Sequence, residues 1–242
     1  MKNNLIFISP KTKVTDIILN NPNMLIIFEH FGICYEFNNK LLEEVCSKYN
    51  LETDIVVTVM NLFNGHNIKE RLKYSYKSVE TTINFLKSNH SYYSSEKYPK
   101  LKELINKMVE VNDHPKIIMV NKFFDLYYAE VVEHFEYENN TVFPYAIGLI
   151  TKLNNITANI KDETGFSIAE FKDNHEDIEE KLMDLTNLLL KYLPVKNDLK
   201  IRRELLLGIY ELEHNLSVHQ LIEDNILVPM LEEAEKRLKN EQ

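Results

Sequence analysis

His134-Phe-Glu-Tyr-Glu-Asn-Asn-Thr-Val-Phe-Pro144 and His219-Gln-Leu-Ile-Glu-Asp-Asn-Ile-Leu-Val-Pro229 are two copies of one pattern, offset by 85 residues. The offset lays His134 on His219, Glu138 on Glu223, Asn140 on Asn225 and Pro144 on Pro229, and it carries Asn89-His90 onto Asn174-His175. Each half of the repeat therefore bears one histidine and then, 44 residues later, a His-x-x-x-Glu pair.

The residues around these fixed points have helical spacing. At about 100° per residue, positions i and i+4 lie on one face, a turn apart. The stripe through the first pair reads Ile117, Val120, Phe124, Tyr127, Val131, His134, Glu138, Val142; the stripe through the second reads Ile201, Leu205, Ile209, Leu212, Leu216, His219, Glu223, Leu227. His90 falls among Ile83, Leu86 and Tyr93, and His175 among Ile168, Phe171, Ile178 and Leu182. Six polar side chains thus interrupt stripes that should point into a core. Burying a carboxylate alone costs several kcal/mol, and a neutral imidazole also needs a partner. Two metal ions would satisfy all six. If both glutamates bridge, each ion receives two imidazole nitrogens and two carboxylate oxygens, a nitrogen- and oxygen-rich open set that suits iron better than manganese or zinc. The expected ligands are His90, His134, Glu138, His175, His219 and Glu223.

His-x-x-x-Glu occurs four times in the chain. His66/Glu70 has no apolar stripe and reads as a solvated pair. His175/Glu179 is set aside because the repeat places Ser94 opposite Glu179. His30, His66, His114 and His214 read as surface or locally hydrogen-bonded residues, and Tyr93 and Tyr127 as core aromatics.

Long amphipathic segments over 78–110, 115–142, 167–193 and 198–238 predict an antiparallel four-helix bundle. Asp113 before Pro115 and Ser167 before Glu170 mark helix starts, and Tyr98-Pro99 should kink or split the first segment. A connection from Tyr145 to Phe166 is expected to carry a short helix near Leu149 to Lys152. Upstream, short helices are expected over Thr12–Asn20, Pro22–Phe31, Lys40–Lys48 and Thr53–Phe63, separated by Asn, Gly and Pro. The expected organisation is a small helical domain over 1–64, a polar linker over 65–76 and a bundle domain over 77–242.

Composition agrees with an all-α chain. Of 242 residues 44% are hydrophobic, with only 5 glycines and 7 prolines, which disfavours a barrel, a sandwich or disorder. The net charge of −9 disfavours nucleic acid as a partner. No apolar run approaches the roughly 20 residues of a membrane span, and Met1-Lys-Asn-Asn begins no secretory signal. Two cysteines build no disulfide framework, so a cytoplasmic location is expected, with Cys34 and Cys46 as structural thiols.

With these motifs in place, the chain resembles a hemerythrin-like di-iron domain. Upstream, Thr12-Lys-Val-Thr-Asp-Ile-Ile-Leu-Asn-Asn-Pro22, Phe28-Glu-His-Phe-Gly-Ile33 and Leu41-Leu-Glu-Glu-Val-Cys46 resemble the small helical domain of the iron–sulfur cluster repair di-iron proteins, the RIC or ScdA/YtfE type. The resemblance implies a hemerythrin-like four-helix bundle holding two non-haem iron ions, oxo- or hydroxo-bridged, on the six residues above. It implies a role in nitrosative and oxidative stress, by iron donation or by nitric oxide or reactive oxygen chemistry. Iron–sulfur proteins would be the clients, nitric oxide or oxygen the small ligands, and a homodimer could form through the N-terminal domain. The alternative is a hemerythrin-like oxygen or nitric oxide sensor. One departure stands out: Glu36 and Phe37 occupy the positions of the family's Cys-Cys pair, and Cys34 falls two residues early.

Overall fold

The computed structural model describes residues 5–66, 75–112, 114–154, 166–174 and 180–240. Most of the expected linker, and with it Glu70, lies outside these, as do Asp113, His175 and Glu179. The chain is all-helical: among the described residues there is no β-strand, only one antiparallel bridge between Lys13 and Leu41. Among them, no helix is long and apolar enough to cross a membrane. Two compact units form, one from Met1–Asn89, Val142–Asn174 and Val218–Gln242, the other from His90–Thr141 and His175–Ser217.

In the first unit, four short helices open the chain: α1 (Val14–Asn20), α2 (Met24–His30), α3 (Leu42–Lys48) and α4 (Thr53–Phe63). Gly32 ends the α2 turn at φ +69°, a conformation that costs glycine nothing. At the start of α3, the Glu44 carboxylate accepts from the Leu41 N–H at 2.7 Å. Asn61 is fully buried; its amide accepts from the Ile8 N–H and donates to the Ile8 carbonyl, both at 2.8 Å, tying the first residues to α4. α5 (Tyr76–Tyr92) enters this core through Val79, Ile83, Phe85 and Leu86. Further on, α8 (Phe143–Asn154), α9 (Ile168–Asn174) and α12 (Val228–Asn240) complete it. Glu235 of α12 accepts from the Tyr145 hydroxyl at 2.6 Å and from the Ile168 N–H at 2.9 Å, so a side chain from α12 caps α9.

The second unit is built from α6 (Tyr98–Val111), α7 (Pro115–Tyr137), α10 (Glu180–Asn187) and most of α11 (Leu199–Ile222). The stripe expected on α7 is its buried face: Ile117, Val120, Phe124, Tyr127 and Val131 are each 2% exposed or less. His114 caps α7, its Nδ1 accepting from the Lys116 N–H at 3.2 Å, with Pro115 in the first turn. One end of the unit is closed by buried polar groups. The Arg202 guanidinium donates to Asp198 at 2.7 Å and to the carbonyls of Leu189 and Pro194, while Asn112 donates to the same Asp198 oxygen and to Pro194.

Prolines shape the long helices. Pro99, Pro144, Pro194 and Pro229 each follow by two residues a widened, π-type turn: Tyr93–Lys97, Glu138–Val142, Leu188–Tyr192 and Glu223–Leu227. A helix-interior proline has no N–H and its ring collides with the carbonyl four residues back. Widening the preceding turn to i→i−5 bonding relieves that clash and keeps the helix going past Pro99, Pro144 and Pro229, whereas before Pro194 the helix ends, with Leu193 extended. The Tyr98 N–H accordingly reaches the Tyr93 carbonyl, and the Val228 N–H the Glu223 carbonyl. The Tyr128 hydroxyl donates to the Ser94 carbonyl at 3.1 Å within the first of these turns. The helical run from Pro115 therefore does not stop at Val142: it passes the widened turn and ends as α8 at Asn154, taking up the expected short helix near Leu149.

Candidate metal centre

The widened turns and the candidate ligands coincide. His90 lies in the last turn of α5, His134 in that of α7 and His219 in that of α11. Glu138 and Glu223 are the first residues of the widened turns that follow α7 and α11. Such turns occur frequently at functional sites.

In the second unit, His90, His134 and Glu138 come together. Glu138 is fully buried, His90 is 3% exposed and His134 15%. One carboxylate oxygen, Oε2, lies 3.1 Å from His90 Nε2; the other, Oε1, lies 3.1 Å from His134 Nε2. The far nitrogen of the His90 ring, Nδ1, lies 3.2 Å from the Asn139 carbonyl oxygen. Phe135 stacks on the same ring at 4.1 Å and 13°, and Tyr93 stacks on Phe135 at 5.9 Å and 26°.

In the first unit, His219 and Glu223 form the matching pair. His219 is 2% exposed and Glu223 fully buried, with Nε2 to Oε1 at 3.4 Å. His219 Nδ1 lies 3.4 Å from the Asn89 carbonyl oxygen. His30, on α2, belongs to the same unit and is buried, edge-on to Phe85 at 5.6 Å. Burial, followed by the positive field of His219, pushes the His30 imidazole down to about 4.

The donor set fits a metal on chemical grounds. With the asparagine carbonyl oxygen facing it, Nδ1 of His90 and of His219 is placed to carry the proton of a neutral ring. In that tautomer Nε2 turns a lone pair toward a carboxylate oxygen, and a cation held between the two, a metal ion or a proton, satisfies both. Two donors each about 2.1 Å from an ion at right angles stand roughly 3 Å apart. The 3.1 Å separations around Glu138 match that bite. A carboxylate with a different imidazole beside each oxygen is also the arrangement a bridging ligand needs.

Sequence and structure differ at some points. His30, read as a surface or locally hydrogen-bonded residue, is not at the surface but buried; its i+3 spacing from Ile27 on α2 is the signal that places it inside. Cys46 is fully buried, which pushes its thiol up to about 11, but Cys34 is exposed, so the reading as a structural thiol applies to Cys46 alone. Phe37, at the second of the two expected cysteine positions, packs in the core against Phe28 at 4.9 Å. Asn139 was given no role by the sequence, and Asn89 was seen only as part of the repeat. No family model and no curated protein sequence matches this chain.

Proposed function

We propose that this chain is a hemerythrin-like di-iron protein of the iron–sulfur repair type, acting in the cytoplasm under nitrosative or oxidative stress. His90, His134 and Glu138 of one unit, and His219 and Glu223 of the other, would supply ligands for the two irons. His175, outside the described residues, would complete the set by its place in the repeat. The observation that carries the reading is Glu138: fully buried, with a separate imidazole Nε2 at 3.1 Å from each of its oxygens.

Bound iron would supply exchangeable coordination positions for nitric oxide or oxygen and a labile pool of metal for damaged clusters. The protein's own groups define the rest. The glutamates neutralise cationic charge in a low-dielectric interior, and the imidazoles set the donor strength and hence the potential. The stacked Phe135 and Tyr93 keep water from the face of His90.

A second reading, a sensor or carrier of oxygen or nitric oxide, draws on one feature. With Phe37 in the core and Glu36 beside it, the N-terminal helices have no vicinal thiols to offer a client. Optical titration with nitric oxide and with oxygen, run beside an assay for restoring a damaged iron–sulfur enzyme, separates the two. Restoration that disappears in His134→Ala and Glu223→Ala supports repair. Reversible ligand binding without restoration supports the sensor, and a chain that takes up no iron contradicts both.

A further inference from the structure

His90 is held at both nitrogens by consecutive residues: Glu138 faces Nε2 at 3.1 Å and Asn139 faces Nδ1 at 3.2 Å. His219 is held the same way by residues far apart in sequence, with Glu223 at Nε2 and Asn89 at Nδ1. In both cases the group behind the ring is an amide carbonyl. In both cases the asparagine directly adjoins a candidate ligand, Asn139 next to Glu138 and Asn89 next to His90. Asn89 is 3% exposed and sits in the helix interior, where an asparagine gains nothing from helix propensity. The 85-residue offset carries Asn89 onto Asn174 and Asn139 onto Asp224, so the repeat retains a hydrogen-bonding side chain at both positions.

We propose that Asn89 and Asn139 are positioning residues for the metal centre, resting on the di-iron reading above. Each amide carbonyl accepts the Nδ1–H of one imidazole, fixes its tautomer and turns the Nε2 lone pair to the metal side. A histidine ligand whose second nitrogen is anchored in this way is oriented as well as bound, and loss of such an anchor typically lowers metal affinity about 10- to 100-fold. The choice of amide over carboxylate also matters. A neutral acceptor polarises the imidazole less than an aspartate would, so His90 and His219 are the weaker donors that a readily reduced, readily released iron requires.

The test uses the full-length protein carrying Asn139→Ala, Asn139→Asp, Asn89→Ala or Asn89→Asp, with ferrous iron affinity, iron per chain and midpoint potential measured for each. The alanine variants should bind iron about 10- to 100-fold more weakly while the metal-free proteins keep their helical circular dichroism. The aspartate variants should recover the affinity and shift the potential downward. Alanine variants with unchanged affinity and potential overturn the proposal, as do aspartate variants indistinguishable from alanine. If the wild-type protein binds two irons and only these outcomes fail, the di-iron reading survives; if the wild type binds none, both fall together.

Discussion

Replacing Glu138 with glutamine keeps the shape of the side chain and removes its charge. The carboxylate is fully buried between two imidazoles. An ionised group there costs several kcal/mol of desolvation, a cost that the neutral amide of glutamine largely avoids. A glutamine can donate to one Nε2 and accept from the other. The metal-free variant should therefore unfold at the wild-type temperature or above it. Metal reverses the order. A ligand at a thousand times its Kd stabilises the folded state by about 4 kcal/mol. In a chain of this size each kcal/mol moves Tm by roughly 2–4 °C, so iron should raise the wild-type Tm by about 8–16 °C. Glu138→Gln should show little or no rise. Thermal unfolding followed by circular dichroism, with anaerobic ferrous iron and with chelator, gives all four values. An equal iron-induced rise in the variant would refute the reasoning. So would a metal-free variant destabilised by about 3 kcal/mol or more, because Glu138 would then be a structural ion-pair partner.

Further expectations concern the scaffold. Asp198→Ala should cost about 3–5 kcal/mol in chemical denaturation, because it leaves the buried Arg202 guanidinium without its carboxylate. Burial raises the Asp198 pKa, but hydrogen bonds from Arg202 and Asn112 and the charge of Arg202 outweigh it and hold the carboxyl below its usual range. Its contribution is thus complete above pH about 4 and lost as pH falls through the lower folded value, which a wild-type stability profile set against Asp198→Asn will register. Gly208→Ala on α11 should gain about 1 kcal/mol of helix propensity, yet the new methyl would stand 2.6 Å from a Leu101 methyl. Overpacking typically costs 1–3 kcal/mol, and Leu101 ends in a flexible branch, so a net loss of less than about 2 kcal/mol is expected in urea unfolding.

Much of this was legible in the sequence because the apolar spacing is strong. The stripes on α7 and α11 are buried nearly residue for residue, and α4 runs from Thr53 to Phe63 as its spacing predicts. Helix starts were less legible: α1 begins at Val14 and not Thr12, and α2 at Met24 and not Pro22, since local propensity does not fix where the first turn closes. Pro144 misled the reading of the second long helix. Proline rules say where an ordinary turn cannot continue, but they do not reveal that a widened turn will absorb the ring and carry the helix on to Asn154. The spacing from Ile27 puts His30 on the inner face of α2, but its edge-on contact with Phe85, more than fifty residues away, is one that no local pattern encodes. The same is true of the anchors behind the imidazoles. The offset found His90 and His219, but Asn139 becomes meaningful only when His90 Nδ1 is seen 3.2 Å from its carbonyl.

The central claim is tested most directly by counting iron in the full-length protein purified under anaerobic, iron-replete conditions, with Mössbauer spectra of the enriched sample. Two irons per chain in one exchange-coupled pair, falling toward zero in Glu138→Gln, is the result this account predicts. A folded protein that holds no iron, or a single uncoupled ion indifferent to Glu138, would contradict it.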